Sequence, residues 1–273
     1  MRGLENLDGR LALVTGAGRG IGEATALALA DAGCRVIAVD IDRENAEKTA
    51  AACAERCGGG WAYAVDVADA TAVSALAEQV QREHGTLDVL VANAGVGMTG
   101  RFLAMSLDDW RWIRGVNLDG VWHTVHAFGA PMVERGDAHV VIVSSGLAYT
   151  MRATEPGYVT TKAAVLALAR CLDADWRPRG VGVTAICPGV INTPIIEHTR
   201  FLGETADPKL RARTERMFRR GHKPQTVARS IVDAVRRGKT VAPVGWESKL
   251  GWWANRFTPV ALQQFIARQG PES

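Results

Sequence analysis

The feature that most constrains this chain is an apolar run that ends in a cluster of glycines, LALVTGAGRGIG at residues 11–22. Its first four residues are all apolar, which is typical of a strand buried on both faces of a parallel sheet. A helix-forming run, EATALALADAG, follows directly after Gly22. Strand, glycine turn and helix in this order predict a dinucleotide-binding loop, in which Gly16 permits the tight turn and Gly20 lets a pyrophosphate approach the helix N-terminus. Gly22 predicts close packing of that helix on the strand.

Asp40 indicates which dinucleotide the loop would hold. It ends the next apolar run, CRVIAVD, eighteen residues after Gly22. A carboxylate at this position can accept hydrogen bonds from both hydroxyls of the adenosine ribose of NAD, and it would repel the 2′-phosphate of NADP. Arg19 and Arg43 point the other way, since either could reach a phosphate. Because the repulsion at the ribose is direct, we expect NAD, with NADP as the alternative.

Apolar runs alternate with helical patterns from residue 10 to about residue 243, without a linker or an internal repeat. The alternation predicts one α/β domain, a Rossmann-type doubly wound parallel sheet with helices on both faces. With 273 residues and 47% apolar content, the chain is long enough to bury one large core. The seven predicted strands are 10–15, 34–40, 61–65, 88–92, 138–144, 181–187 and 240–243.

Tyr158 and Lys162 lie four residues apart in the helical stretch YVTTK. Side chains at this spacing leave the same face of a helix. An ammonium beside a phenol favours the phenolate, which predicts a pKa for Tyr158 below its ordinary value of about 10. Ser145 lies thirteen residues upstream. Together with the glycine loop, these residues predict a proton-transfer site beside a dinucleotide.

With these motifs the chain resembles the short-chain dehydrogenase/reductase (SDR) family over nearly its whole length. The order and spacing of the motifs match along about 180 residues. The family's usual NNAG begins here with Ala92, and Asn93 is kept. The matching motifs are TGAGRGIG at 15–22, DV at 66–67, ANAG at 92–95, Asn117 in VNLDG, SSG at 144–146, YVTTK at 158–162 and PGVINTP at 188–194.

The resemblance implies a catalytic set of four residues. Tyr158 would be the general acid/base that exchanges a proton with the substrate oxygen, and Ser145 would hydrogen-bond that same oxygen. Lys162 would hold the nicotinamide ribose and lower the pKa of Tyr158. Asn117 would fix a helix irregularity and a water that links Lys162 to solvent.

The resemblance also implies where the cofactor is held. Asp66 and the Val67 backbone would bind adenine. The segment from Asn93 to Gly95 would line the ribose, and Thr193 would bind the carboxamide. The implied cofactor-binding set is Gly16, Arg19, Gly20, Ile21, Asp40, Asp66, Val67, Asn93, Ala94, Gly95, Tyr158, Lys162, Pro188, Gly189, Ile191 and Thr193.

The composition bears on the expected cellular compartment and on metal binding. No stretch reaches 18 apolar residues, and the N-terminus lacks a charged-then-apolar signal pattern, so a cytoplasmic protein is expected. The five cysteines, at positions 34, 53, 57, 171 and 187, are expected to be buried and unpaired. Neither they nor the six histidines show ligand spacing, so no metal site is predicted. His123 and His126 are expected to pack in the protein or at an interface.

The segment after Pro194 is basic and differs from the rest of the chain. Residues 200–239 contain twelve Lys/Arg and four Asp/Glu. In the family this region covers the active site, so we expect a dinucleotide-binding catalytic domain at 1–243 with a substrate lid at about 194–223. The excess of positive charge could attract an anionic substrate or an anionic lipid surface, or it could be a solvated helix face. Binding of nucleic acid is not expected.

Residues 244–273 predict an amphipathic C-terminal extension of two short helices. Trp246, Leu250, Trp253 and Phe257 fall on one helical stripe. A second helix is expected from Pro259 to the stop at Gly270 and Pro271. We expect the stripe to dock on the core or on a neighbouring subunit; it could instead cover an apolar pocket or lie against a membrane interface.

The sequence therefore predicts an NAD-dependent oxidoreductase that interconverts a secondary alcohol and a ketone on a small-molecule, lipophilic or steroid-like substrate. One alternative is an NADPH-dependent carbonyl reductase that uses Arg19 and Arg43. Another is a non-catalytic NAD-binding module that docks on membranes or partners through residues 244–273. The family's two long helices predict a homodimer or homotetramer.

Overall fold

The strands form one parallel sheet and one small accessory pair. A computed structural model of the protein describes residues 3–268. The seven-stranded sheet has the order β3-β2-β1-β4-β6-β7-β9, and every pairing in it is parallel. The two short strands β5 and β8 pair with each other, also in parallel. The strands are β1 (Leu11–Thr15), β2 (Arg35–Asp40), β3 (Gly60–Ala64), β4 (Val89–Ala92), β5 (Met98–Thr99), β6 (Ala138–Val143), β7 (Val181–Pro188), β8 (Arg200–Phe201) and β9 (Val241–Val244).

Helices connect the strands and cover both faces of the sheet. Four 3₁₀ turns lie at Phe102–Ala104, Arg177–Arg179, Pro194–His198 and Gly203–Ala206. The α-helices are α1 (Gly20–Asp31), α2 (Arg43–Cys57), α3 (Ala70–Glu83), α4 (Leu107–Arg114), α5 (Gly120–Arg135), α6 (Leu147–Thr150), α7 (Pro156–Trp176), α8 (Pro208–Arg219), α9 (Pro224–Arg237), α10 (Trp246–Phe257) and α11 (Val260–Arg268).

The core lies in two layers, one on each face of the sheet, because the central strands are apolar on both sides. One layer packs against α1 and α9, and the other against α5 and α7. The strand order reverses between β1 and β4. Such a reversal opens a crevice at the carboxyl ends of the strands, where ligands bind in doubly wound sheets. The fold therefore directs attention to the loops that follow β1, β2, β4, β6 and β7.

The predicted fold class is confirmed. All seven predicted strands are present, each within one residue of its predicted ends. The pair β5–β8 was not predicted, because two residues are too few to show a hydrophobic period. The expectation for the cysteines is wrong at Cys171, which is exposed on α7. The predicted helix stop at Gly270 and Pro271 lies outside the described residues.

The extension forms the two predicted short helices, but α10 does not dock through its apolar stripe. It packs inward through the opposite face, where Ser248 is buried and Gly251 lies against Thr150. Trp252 on the same face meets the ring of Tyr149 edge-on at 5.2 Å between centroids. The predicted docking of the stripe on the core is therefore wrong, since small and hydrogen-bonding residues make the closer contact.

Candidate active site

The glycine loop between β1 and α1 has the backbone geometry that its sequence predicts. Gly16 and Gly20 have positive φ angles of 64° and 60°, which other residues rarely adopt. A Cβ at Gly22 would lie 1.9 Å from the carbonyl oxygen of Gly16. A Cβ at Gly18 would lie 2.9 Å from the carboxylate of Asp40. The loop is therefore wrapped tightly around the start of α1, and only glycine fits at these contacts.

A cavity of about 650 Å³ runs along this loop, and its walls fit a dinucleotide. Within the described residues no side chain caps the N-terminus of α1, so its first N–H groups face the cavity uncapped. Asp40 lies in the cavity wall and is 7% exposed. One of its carboxylate oxygens accepts from the Gly18 N–H at 2.8 Å and the other from the Asp42 N–H at 3.0 Å. These bonds fix the carboxylate where a ribose would lie.

The two arginines named as phosphate candidates differ. Arg19 lines the cavity, where its guanidinium donates to His198 Nε2 at 2.6 Å and lies 3.4 Å from the Asp42 carboxylate. The Arg43 side chain is 70% exposed and lies 3.8 Å from Glu47, and it is not among the described residues that line the cavity. Of these two arginines, Arg19 therefore remains the candidate for a phosphate contact, and it lies beside the Asp42 carboxylate.

At the far end of the cavity, Asp66 and Val67 follow β3. One oxygen of Asp66 accepts from the Ala68 N–H at 2.9 Å. The Nδ1–H of His123, on α5, donates to the Val67 carbonyl at 3.0 Å. His123 was expected to pack in the protein or at an interface, and this contact agrees with packing: it holds the backbone next to the predicted adenine position.

Asn93 ties the end of β4 to the glycine loop. Its side-chain amide donates to the carbonyls of Thr15 at 2.9 Å and Gly16 at 3.2 Å. The hydroxyl of Thr15 accepts in return from the N–H groups of Asn93 and Ala94, at 3.0 and 3.2 Å. This reciprocal bonding joins the loop after β4 to the end of β1 at the centre of the crevice. Substituting Ala92 for the family's first asparagine leaves these contacts in place, since they belong to Asn93.

Tyr158 and Lys162 lie on the first turns of α7, one helical turn apart as predicted. The Lys162 Nζ lies 5.9 Å from the centroid of the Tyr158 ring and donates to the Val143 carbonyl at 3.0 Å. Lys162 is 4% exposed, and its main-chain carbonyl accepts from the Ser144 hydroxyl at 2.7 Å. The helix is thereby fixed to the end of β6, which also carries Ser145. Tyr158, Lys162 and Ser145 all line the dinucleotide cavity.

Burial shifts both titrating groups of this pair. It raises the pKa of Tyr158 to about 12, with the Glu155 charge acting in the same direction and the Ser145 side chain against it. It lowers the pKa of Lys162 to about 8. The predicted lowering of the Tyr158 pKa by Lys162 is therefore wrong for the chain's own groups. The reason is that removal from water destabilises the phenolate, and this cost outweighs the hydrogen bond with Ser145.

Asn117 sits in a helix irregularity, as expected. The helix formed by α4 and α5 is interrupted by a π-helical turn at Gly115–Asp119. Within it, the fully buried Asn117 amide accepts from the Val96 N–H at 2.8 Å and donates to the Val96 carbonyl at 2.9 Å. A Cβ at Gly95 would lie 3.2 Å from the Asn117 oxygen and 3.3 Å from Lys162 Nζ. Asn117 therefore holds the loop after β4 next to the lysine.

A second cavity, of about 380 Å³, adjoins the first on the lid side. The two share Ser145 and Tyr158 in their walls, together with Pro188 and Gly189 from the end of β7. The predicted lid covers it with Leu210, Met217 and Phe218, among other residues. Arg152 and Glu155 form an ion pair at 3.1 Å in the same wall. A group bound here would lie against Ser145 and Tyr158, which also line the first cavity.

The remaining predicted cofactor residues also line the first cavity. Ile21 lies at the start of α1, and Ile191 and Thr193 follow β7. A Cβ at Gly20 would lie 3.4 Å from the Thr193 side chain, so the loop after β7 reaches the glycine loop. The structure therefore brings every residue of the predicted catalytic and cofactor sets to the walls of the two cavities, except Asn117, which lies behind them.

Comparison with known proteins gives the family. The family model for short chain dehydrogenases matches residues 10–201, most of the chain. The protein belongs to the short chain dehydrogenase family. Its fold is that of the family, as the solved relative described next also shows.

Three of its relatives show how far the likeness extends. A probable oxidoreductase, EphD, of Mycobacterium tuberculosis is 42% identical over 259 residues, which is 93% of this chain and 44% of that protein. The D-threitol dehydrogenase of Mycolicibacterium smegmatis is 39% identical over 189 residues, 69% of this chain and 73% of the relative. A short chain dehydrogenase/reductase from Burkholderia phymatum, solved in complex with NAD, has a TM-score of 0.79 at 27% identity and covers 97% of this chain and 98% of its own. The chain thus spans less than half the length of the EphD relative.

Two residues of α10 complete the site of this short chain dehydrogenase, and the sequence did not reveal them. Glu247 accepts from the Val190 N–H at 2.7 Å and from His222 Nε2 at 3.0 Å. The Ser248 hydroxyl donates to the Cys187 carbonyl at 2.6 Å, and the Ser248 carbonyl accepts from the Tyr149 hydroxyl at 3.0 Å. We call Glu247 and Ser248 the clamp. It joins α10 to the end of β7, to α6 and to the end of the lid.

The clamp gave no sequence signal because a lone Glu-Ser pair at the start of a helix matches ordinary helix N-termini. A signal was present in its neighbour Gly189, where a Cβ would lie 2.2 Å from the Glu247 carboxylate. That glycine belongs to the PGVINTP motif, so the close approach could have been suspected but its partner could not be named.

Proposed function

We propose that this protein is an NAD-dependent oxidoreductase that interconverts a secondary alcohol and a ketone on a lipophilic or steroid-like small molecule. The observation that carries the proposal is that the two cavities meet at Ser145 and Tyr158. A substrate in one and a nicotinamide in the other would bring the carbinol carbon next to the ring while its oxygen faces two hydroxyl groups.

The chain's own residues carry out the proton transfer of the reaction. In oxidation, Tyr158 as phenolate takes the proton of the substrate hydroxyl; in reduction, Tyr158 as phenol returns it to the carbonyl oxygen. Ser145 donates a hydrogen bond to the same oxygen and stabilises the charge that develops on it. Lys162 holds the nicotinamide ribose, and Asn117 positions the loop beside that lysine. The cofactor, when bound, accepts the hydride from the carbinol carbon or returns it.

NAD is the proposed cofactor because Asp40 lies in the cavity wall with its carboxylate fixed by two N–H groups. Such a carboxylate favours two free ribose hydroxyls and disfavours a 2′-phosphate. Arg19, the cation of the NADP alternative, already lies beside Asp42. A structural relative solved with NAD supports the same choice.

The lipophilic substrate is proposed from the walls of the second cavity. Apolar side chains from β5, α6, α8, α11 and the loop after β7 line it: Met98, Leu147, Val190, Met217, Phe218 and Ile266. Threonine hydroxyls and the Arg152–Glu155 pair add polar contacts at the side. Large apolar substrates bind such walls through the hydrophobic effect, while the few polar groups orient them.

Self-association and a cytoplasmic location are part of the same proposal. Helices α5 and α7 form an outer face with a cleft of about 500 Å³. The side chain of Trp122 on this face is exposed, as expected of a surface that pairs with a second subunit. A homodimer or homotetramer through these helices is proposed.

The test is NADH formation with a panel of secondary alcohols from short-chain to long-chain and sterol, with Tyr158→Phe as the blank. Rates that climb with apolar size in the wild type and fall by roughly 10²-fold or more in the mutant would support both parts of the proposal. Activity restricted to small polar alcohols would contradict the lipophilic substrate. Equal rates for wild type and Tyr158→Phe would contradict catalysis by this residue and favour a non-catalytic module.

The cofactor is tested in the same assay with Asp40→Ala. Under the NAD proposal this variant binds NAD more weakly, by roughly tenfold for the lost hydrogen bonds, and its discrimination against NADP falls. If NAD binding is unchanged and the wild type prefers NADP, the enzyme is the NADPH-dependent carbonyl reductase instead.

A further inference from the structure

Helix α10 places most of its large apolar side chains on its outward face, although Trp252 packs inward on Tyr149. The inward face carries the clamp, Glu247 and Ser248, which is bonded to the core. The outward face carries the stripe Trp246, Leu250, Trp253 and Phe257, of which Trp246 is 71% and Phe257 is 79% exposed. Surface helices normally bury the apolar side. A helix held to the core by the clamp and Trp252 therefore leaves its apolar stripe exposed.

Helix α11 continues the apolar surface. Val260, Leu262, Phe265 and Ile266 are all about half exposed or more. The backbone of α11 is joined to the core where the Ala153 N–H donates to the Ala267 carbonyl at 3.0 Å. Eight large apolar side chains therefore lie on two adjacent helices, well beyond the isolated exposed residues of an ordinary surface.

Positive charge borders this apolar surface. Lys249 and Arg256 are exposed on α10, and the Arg256 guanidinium lies over the ring of Trp253 at 5.4 Å. Along the other side, α8 presents a row of arginines. Arg213, Arg216 and Arg220 share with Trp246 the wall of an open cleft of about 580 Å³. Between Trp246 and Arg268 the single carboxylate is Glu247, which faces inward to His222.

The second cavity, which we propose holds the substrate and call the substrate cavity, lies in the same region. Its wall includes Ile266 of α11 and Leu210, Met217 and Phe218 of α8. The apolar surface, the arginine row and the cavity therefore share the helices α8 and α11.

We propose that the face formed by α8, α10 and α11 docks on the surface of an anionic lipid bilayer. The aromatic and aliphatic stripe enters the interfacial region, and the arginines and Lys249 contact the headgroup phosphates. Within residues 3–268 no helix is both long enough and apolar enough to cross a membrane. The docking stands without the proposed chemistry; passage of a lipophilic substrate from the bilayer into the cavity rests on it.

A second copy of the chain fits this face less well. In a two-fold interface the same patch meets itself, so Arg213, Arg216, Lys249 and Arg256 would face one another. Helices α10 and α11 carry no outward carboxylate over residues 246–268, and the Glu215 carboxylate of α8 is already paired with Arg211 at 3.1 Å. An anionic surface supplies the opposite charge across the whole patch.

The experiment is sedimentation of the full chain with vesicles of phosphatidylcholine alone and of phosphatidylcholine mixed with phosphatidylglycerol. We expect binding to the anionic vesicles and much weaker binding to the neutral ones. A stripe variant carries the four substitutions Trp246→Gln, Leu250→Gln, Trp253→Gln and Phe257→Gln. Its ratio of bound to free protein should fall roughly tenfold or more, since apolar burial is removed. Arg213→Gln, Arg216→Gln, Arg220→Gln should lose a similar amount on anionic vesicles only.

A charge-matched control is Lys48→Gln, Arg56→Gln, Arg82→Gln, which removes three exposed cations from α2 and α3. It should bind as the wild type does. Thermal unfolding and NAD binding of each variant show that it is folded. Vesicle binding is measured without substrate or cofactor, so its outcome is independent of the Tyr158→Phe test.

Three results would overturn the proposal. The wild type could fail to sediment with anionic vesicles, or the stripe variant could bind as well as the wild type. The control could lose as much binding as the α8 variant, which would reduce the effect to net charge. If vesicle binding is absent and the stripe variant has fewer subunits in sedimentation velocity, the face is an interface between copies of this chain.

Discussion

The two cavities that meet at Tyr158 are built in different ways. The dinucleotide cavity runs along the carboxyl ends of the central strands, with glycines where added side chains would collide with backbone. The substrate cavity is bounded by side chains from the lid and from α11, on short helices at the periphery. The first is fixed by main-chain geometry, and the second depends on the side chains that cover it.

The difference indicates which substitutions each side tolerates. A Cβ added to the backbone wall meets a carbonyl or a helix that cannot move away, so the change acts on every substrate equally. A side chain exchanged in the lid changes the shape of one wall and leaves the dinucleotide cavity intact. We expect cofactor binding to be sensitive to backbone changes and substrate choice to be sensitive to lid changes.

The largest expected effect is that of Gly22→Ala. Its Cβ would lie 1.9 Å from a backbone oxygen, so α1 must move away from the glycine loop. We expect a loss of NAD affinity of about 100-fold or more and a loss of stability of roughly 1–3 kcal/mol. Isothermal titration with NAD and thermal unfolding measure the two.

Gly58→Ala is the matched control. Gly58 has a φ of 73° at the end of α2, and a Cβ there meets nothing within 4 Å. The strain of a left-handed residue costs about 1–2 kcal/mol of stability, and NAD affinity should not change. If Gly22→Ala bound NAD as tightly as Gly58→Ala, the backbone wall would not be the determinant of binding.

The next effect is the pH dependence of catalysis. Because burial raises the pKa of Tyr158 to about 12, the phenolate that oxidation needs is scarce near neutral pH and increases with pH. We expect alcohol oxidation to rise about tenfold per pH unit from pH 6 to 8. The phenol that reduction needs is already the major form, so ketone reduction should change little. Initial rates in both directions measure this.

Glu155→Gln sharpens the same measurement. Since the charge of Glu155 contributes to the raised pKa of Tyr158, its removal should shift the oxidation profile to lower pH. An oxidation rate independent of pH in both proteins would argue against Tyr158 as the base.

The smallest expected effect concerns the clamp, which joins α10 to the end of β7 and lines the substrate cavity. Glu247→Ala removes the acceptor for the Val190 N–H and the partner of His222. We expect kcat/KM for alcohols to fall about tenfold, the loss typical of one hydrogen bond to a charged group. Glu247→Gln keeps an oxygen for Val190 and should recover part of the loss.

The control for the clamp is Glu78→Ala on α3, whose side chain is exposed and 3.9 Å from Arg82. It should behave as the wild type. A positioning role also predicts that KM and kcat both change in Glu247→Ala; a fall in stability with unchanged kinetic constants would assign Glu247 to structure alone.

The sequence predicted the main sheet because its strands are continuous apolar runs bounded by glycine or acidic residues. It predicted the glycine loop and the π-turn residue Asn117 because these motifs have fixed spacing. Their contacts are local or follow from the strand order, so spacing is enough to place them.

What the sequence did not predict depends on which face of an element meets the core. The stripe on α10 was correctly found, but a helical period does not tell the inward side from the outward side. The raised pKa of Tyr158 follows from burial by residues distant in sequence, whereas the spacing of Tyr158 and Lys162 reports only their proximity. The clamp required knowing that α10 returns to the end of β7.

The bond between Ser248 and the Cys187 carbonyl joins residues 61 positions apart. At about 5–20 residues per second of synthesis, Ser248 leaves the ribosome roughly 3–12 seconds after Cys187. The glycine loop, Asp40 and Tyr158 are by then all outside the exit tunnel. A nascent chain can thus assemble the nucleotide side first. The wall of the substrate cavity that α10 contributes forms only when α10 emerges. The order of translation therefore places the completion of the substrate cavity after the assembly of the nucleotide side.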